Sequence, residues 1–171
     1  MTMAFSLPQK ELFYLPEGVI YLDGNSLGPM PKGAADRASE VIQNEWGQEL
    51  IRAWNTADWM ALPQKVGDRI GRLIGAPEGS VITGDTLSIK VYQALAAALM
   101  MRSDRRVILS DNGNFPSDLY MAQGLIDAIG KDHELRTPAP ENVANAITPE
   151  VAVVMLTHVD YRSGRMYDMA E

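Results

Sequence analysis

The sequence predicts an α/β fold, a mainly parallel sheet with flanking helices. Three observations carry that reading. Val151-Ala152-Val153-Val154-Met155-Leu156-Thr157-His158-Val159 is almost uninterruptedly apolar, the pattern of a strand covered on both faces in a parallel sheet. Short apolar runs alternate with segments of helical periodicity, as right-handed strand–helix–strand crossovers require. Val81-Ile82-Thr83 meets Gly84 and passes into an alanine-rich run ending at Met101, which reads as strand, tight turn and helix.

The elements follow in order. Val19-Ile20-Tyr21-Leu22 is a short apolar run stopped by Asp23-Gly24-Asn25-Ser26-Leu27-Gly28-Pro29, where two glycines and a proline demand a loop. Residues 32–46 have helical spacing, with Ala34, Ala38, Val41, Ile42 and Trp46 on one face. Residues 54–59 form a loop or helix start. Residues 62–74 form an amphipathic helix with Val66, Ile70, Leu73 and Ile74 on one side, ended by Gly75-Ala76-Pro77. Residues 105–110 are a strand, 111–116 a loop, 118–129 a helix and 141–147 a short helix. Trp46 and Trp59 read as packing residues, and the ten methionines as fillers of core gaps.

Composition sets the outer limits. A chain of 171 residues with 46% hydrophobic and 22% charged residues has enough material for one domain with a core of its own. A net charge of −7 disfavours nucleic acid and anionic membranes as partners. With no cysteine, disulfides and thiolate sites are excluded. No apolar run approaches the roughly 20 residues of a membrane span. The first residues lack the basic and apolar regions of a signal peptide, so a cytoplasmic location is expected.

The turn before residue 87 is the first candidate site. The first turn of a helix presents unpaired N–H groups and the positive end of the helix dipole, and Thr86 and Ser88 add hydroxyl donors. The arrangement suits a phosphate. The plain alternative is that Asp85 or Thr86 is a helix N-cap. A dinucleotide site is disfavoured, because the turn carries only Gly84 in place of Gly-x-Gly-x-x-Gly. Sheets of this kind bind ligands at the carboxyl ends of their strands, so the loops after Thr83, Ser110 and Leu156 matter. Phe115 stands in the second of these. Its ring either stacks on a flat cofactor or plugs the core beneath the loop.

Asp23-Gly24-Asn25-Ser26-Leu27-Gly28, Glu45-Trp46-Gly47, Trp54-Asn55, Asn114-Phe115-Pro116-Ser117-Asp118-Leu119-Tyr120 and Leu156-Thr157-His158-Val159-Asp160-Tyr161-Arg162-Ser163-Gly164 fall in one order and spacing. In these the chain resembles kynureninases, which are pyridoxal 5′-phosphate enzymes of the aspartate-aminotransferase fold type. The resemblance runs from about Val19 to the last residue. It implies the N-terminal portion of a fold-type-I large domain, with residues 1–50 as an arm and helix contributing to the small domain and pocket, and 51–171 as the start of the cofactor-binding domain. Thr86 and Leu87 match the pair that holds the cofactor phosphate. Leu87 departs from the family's second hydroxyl and offers only its backbone N–H. Phe115 matches the ring that stacks on the pyridine, and Phe115, Pro116, Ser117 and Asp118 match a cofactor-contacting segment. Asp118 is also a candidate helix N-cap. Ser26 and Trp54 match residues lining the substrate pocket, while Ser26 and Asn25 also suit a purely loop-shaping role. His158 reads as structural, because the family's ring-oxygen histidine lies further along the chain.

The resemblance implies hydrolysis of kynurenine, or its 3-hydroxy form, to an anthranilate and alanine by a homodimer. Such an enzyme needs a Schiff-base lysine and an aspartate at the pyridine nitrogen, both of which match positions beyond Met169. The lysines here are Lys10, Lys32, Lys65, Lys90 and Lys131, and none has that context. The chain is therefore expected to be a truncated or separately made N-terminal part, without a catalytic lysine and inactive alone. A non-catalytic phosphate- or nucleotide-binding α/β module is the competing expectation.

Overall fold

The computed structural model describes residues 9–130 and 132–170. These form two compact units that divide between Thr83 and Gly84.

In the first unit, helix α1 (Ala34–Glu40) continues as a π-helical turn through Val41–Trp46, where Gly47 N–H reaches back to the Ile42 carbonyl at 3.0 Å. Helix α2 (Ala53–Thr56) and helix α3 (Leu62–Ile74) follow. The α3 bounds are those the periodicity predicts. Gly75 stops it in the left-handed conformation, φ 72°. The predicted apolar side of α3 is not its buried side, however. Leu73 and Ile74 are exposed, and the buried residues are Gly67 and Gly71. The chain returns across this glycine track so closely that a Cβ on Gly67 would overlap the Val81 carbonyl. The expected strand at Val81-Ile82-Thr83 is absent. The segment is irregular and bonds to α3 instead, with Thr83 N–H donating to Pro63 O at 3.2 Å and Gln64 Nε2 to Val81 O at 3.2 Å. Ile20 and Leu22 are exposed and pair with no strand among the described residues.

The second unit is an α/β layer built on β1 (Val107–Leu109), β2 (Glu134–Arg136) and β3 (Val151–Val154). Among the described residues they form one parallel sheet in the order β2-β1-β3. All three β1 residues are buried, so β1 is the strand covered on both faces. The long run from Val151 is paired only to Val154, with an irregularity between its first two register pairs, and Val154 itself is exposed. β1 ends at Leu109, so the run loses its partner there; one more bond, Met155 N–H to Leu109 O at 2.8 Å, closes the ladder. β2 is a strand the sequence reading missed. The expected helix over 141–147 is a pair of 3₁₀ turns, Pro140–Asn142 and Ala144–Ala146.

Helices α4 (Leu87–Met101) and α5 (Pro116–Ile129) pack on one face of the sheet. Ile108 points between Leu95, Leu99, Ala122, Leu125 and Ile126. Val107 and Leu109 point the other way, with Val143 and Val151. The methionines do not fill this core: Met100, Met101, Met166 and Met169 are exposed, and Met155 alone of the second unit's methionines packs against it. Met100 lies with Arg106, Ile129 and His133 around one hollow, so both helices end at the amino edge of the sheet. Their N-termini therefore face its carboxyl edge.

Thr86 caps α4, its Oγ1 accepting from Ile89 N–H at 3.4 Å. Thr86→Ala is expected to destabilise the second unit by about 1 kcal/mol, whereas Thr86→Gly costs a few tenths. Urea unfolding checks this, and equal midpoints for the wild type and the alanine variant would contradict it. No helix among the described residues is long and apolar enough to cross a membrane.

Candidate functional site

The carboxyl edge of the second unit gathers buried polar groups. Ser110, Asp111, Asn114 and Asp118 are all nearly inaccessible. Asn114 is the centre. Its Nδ2 donates to Ser110 Oγ at 2.9 Å, and its Oδ1 accepts from Phe115 N–H at 2.7 Å and from Thr157 Oγ–H at 2.6 Å. One amide side chain thus fastens the loop after β1 to the segment after β3. Asp111 makes a second tie. Its Oδ1 accepts from Gly113 N–H at 2.7 Å and its Oδ2 from the Tyr167 hydroxyl at 2.7 Å, with Arg165 Nη2 at 3.9 Å. Burial, and then the Asp111 carboxylate, raise the Tyr167 phenol above its ordinary pKa.

Residues 158–167 form a small hairpin above this edge. Val159 and Met166 bridge antiparallel, and Asp160 Oδ1 accepts from Arg162 N–H, Ser163 N–H and Ser163 Oγ–H. Those donors, Ser163 foremost, hold the Asp160 carboxyl below its usual range. His158 is exposed and its Nε2 lies 3.1 Å from Tyr167 O within the hairpin.

Phe115 occupies the cap position of α5 with an extended backbone, φ −62° and ψ 129°, set up for Pro116 to open the helix. The cap therefore falls on Phe115. Asp118 is not the N-cap; it sits in the first turn, buried, accepting from Ser117 Oγ at 3.4 Å. Phe115 is 46% exposed, so it does not plug the core. It meets the Tyr161 ring edge-on, centroids 5.0 Å apart at 62°. At the start of α4, Thr86 takes the Ile89 N–H, while those of Leu87 and Ser88 have no acceptor within the helix. Lys90 folds back over this turn, 3.7 Å from Asp85.

Ser26 and Trp54 belong to the first unit. Ser26 Oγ donates to Asp23 Oδ1 at 2.7 Å, and Tyr21 OH to Leu27 O at 2.6 Å, so both bonds shape the loop. Trp54 lies edge-on to Trp59, centroids 6.0 Å apart. Trp59 Nε1 donates to Glu45 Oε2 at 2.6 Å, and Arg37 Nη1 donates to Glu45 Oε1 at 2.5 Å. Trp46, expected to pack, is exposed. The Arg37 bond, then the Trp59 bond, hold the Glu45 carboxyl below the usual carboxylate range. A depressed folded pKa stabilises above the pKa of an unfolded glutamate and is lost as pH falls through the folded value. Trp59 emission is thus expected to change on the acid side of the glutamate range in a protein whose other tryptophans are phenylalanine. An identical acid limb in the Glu45→Gln variant would refute the assignment.

A kynureninase from Burkholderia pseudomallei is 53% identical to this chain over 167 residues, which are 95% of the chain and 40% of that protein. A kynureninase from Burkholderia mallei is 53% identical and one from Pseudomonas fluorescens 49% identical, with the same coverage. The chain is homologous to kynureninases. It spans about two fifths of the length of these curated relatives. No protein-family model matches it. Kynureninase similarity reaches both units, since 95% of the chain is aligned.

Asn114, Asp111, Tyr161 and Tyr167 belong to this candidate site, and sequence reasoning did not single them out. Asn114 and Tyr161 lie inside kynureninase-like segments, but their partners stand some forty residues away in the chain, so no local pattern marked them.

Proposed function

We propose that this chain supplies the cofactor-phosphate and ring-stacking part of a pyridoxal-phosphate-dependent kynureninase. In this reading it is the start of a fold-type-I large domain (51–171), preceded by an arm (1–50), in a homodimeric enzyme. The observation that carries the proposal is the pairing, at one sheet edge, of a donor-rich helix start with an exposed aromatic ring, in a chain half identical to kynureninases.

The residues fit the group. Thr86 Oγ and the N–H groups of Leu87 and Ser88 would hold a phosphate at the positive end of α4. Phe115 offers a half-exposed ring, and Pro116, Ser117 and Asp118 would shape the floor beside it. Lys90 adds a cation over the same turn. Pyridoxal phosphate, when bound, withdraws electrons from the α-carbon of an amino-acid substrate. This chain's own residues bind the phosphate, orient the ring and keep the loop after β1 rigid through Asn114. Ser26 and Trp54 would line the aryl pocket for kynurenine.

Calorimetry tests the binding step. Pyridoxal phosphate is expected to bind with phosphate-dependent affinity that Phe115→Leu weakens, and the full-length enzyme is expected to release fluorescent anthranilate from kynurenine. Tight binding of a nucleotide with no response to pyridoxal phosphate would overturn the proposal.

A further inference from the structure

We propose that Tyr161 is a positioning residue for the Phe115 ring; the inference rests on the stacking role given to Phe115 above. Three ties support it. The Tyr161 and Phe115 rings lie with centroids 5.0 Å apart and planes inclined at 62°, a T-shaped geometry in which the edge of one ring and the face of the other attract. The Arg162 guanidinium lies 5.3 Å from the Tyr161 ring centroid while its Nη2 donates to Gly113 O at 3.3 Å, so one side chain backs the ring and pins its turn to the loop that carries Phe115. Behind both, the Tyr167 hydroxyl is bonded to the buried Asp111 carboxylate, and Arg165 stacks on the Tyr167 ring at 4.1 Å. The hairpin is thus latched at its base and at its tip to residues 111–115.

Phe115 is half-exposed, and its ring meets the Tyr161 ring. Without Tyr161 it would be free to swing about its side-chain bonds, and a flat aromatic ligand would have to order it on binding. With Tyr161 the ring is already set. The effect falls on the aromatic part of a ligand and not on its phosphate, which the start of α4 would hold.

The test measures the affinity of the full chain for pyridoxal 5′-phosphate and for inorganic phosphate, in the wild type and in Tyr161→Leu, Tyr161→Phe and Phe115→Leu. Tyr161→Leu is expected to weaken cofactor binding about three- to tenfold, the range of an aromatic pair, with inorganic phosphate unaffected. Tyr161→Phe keeps the ring and is expected to restore the wild-type affinity. Equal loss for both ligands in Tyr161→Leu would mean general loosening and would overturn the positioning role. So would a loss in Phe115→Leu with none in Tyr161→Leu. No loss in Phe115→Leu would overturn the stacking reading itself, and this inference with it.

Discussion

Asn114→Ala is expected to be the most damaging single change in the second unit. It removes the donor to Ser110 and the acceptor for both Phe115 N–H and Thr157 Oγ–H. In a site with Asn114 and Ser110 buried, groups left without partners each cost about 1–3 kcal/mol. A total of about 3–5 kcal/mol follows, and a fall in melting temperature on the order of 10 °C. Thr157→Val removes one of the three bonds and leaves Phe115 N–H to satisfy the Asn114 oxygen, so about 1 kcal/mol is expected. Differential scanning calorimetry on the three proteins checks the ranking. A melting point for Asn114→Ala no lower than that of Thr157→Val would show that the amide does not hold the two segments together.

Gly67→Ala is expected to have the second-largest effect, in the first unit. In an open helix the change stabilises by about 1 kcal/mol. Here the added methyl strikes the Val81 backbone, which is not the movable end of a side chain. The return segment must lift from α3, with loss of the Thr83 and Gln64 bonds, and a net destabilisation of about 2–3 kcal/mol is expected. Gly124→Ala, in α5 with open space around it, should instead stabilise by roughly 0.5–1 kcal/mol. Urea midpoints, read with exchange of the Thr83 amide, separate the cases. A Gly67→Ala protein that gains stability as Gly124→Ala does would refute the close approach.

The sequence was legible where the determinants are local. The bounds of α3 came from spacing and from Gly75, and a cap was expected at Asp85 or Thr86, of which Thr86 is the one used. The α5 helix begins two residues before the expected start because Pro116 can occupy the first helical position. What depended on distant partners was not legible. Glu134-Leu135-Arg136 carries two charges in three residues and reads as a strand only because β1 is beside it. Arg136 bonds Glu134 and Glu150, which lets an edge strand carry such charge. Val81-Ile82-Thr83 has strand composition but no strand to pair with among the described residues. The buried side of α3 was misjudged because glycines, which no hydrophobicity pattern highlights, let the return segment approach. Thr86 and Phe115 were visible in the candidate site, whereas Asn114's bonding pattern exists only once Thr157 arrives.

The strand order β2-β1-β3 also has a kinetic meaning. β1 is synthesised before either neighbour, and both pairings close long loops of chain. Non-local parallel contacts of this kind form slowly, since the entropy of loop closure is lost before the pairing returns it. α4, β1 and α5 are close in sequence and can assemble first. β3 docks afterwards, and only then can Thr157 find Asn114 and the hairpin after it find Asp111. The aromatic edge beside Phe115 is therefore among the last parts of the unit to mature, and a nascent chain exposes one whole side of β1 until that moment.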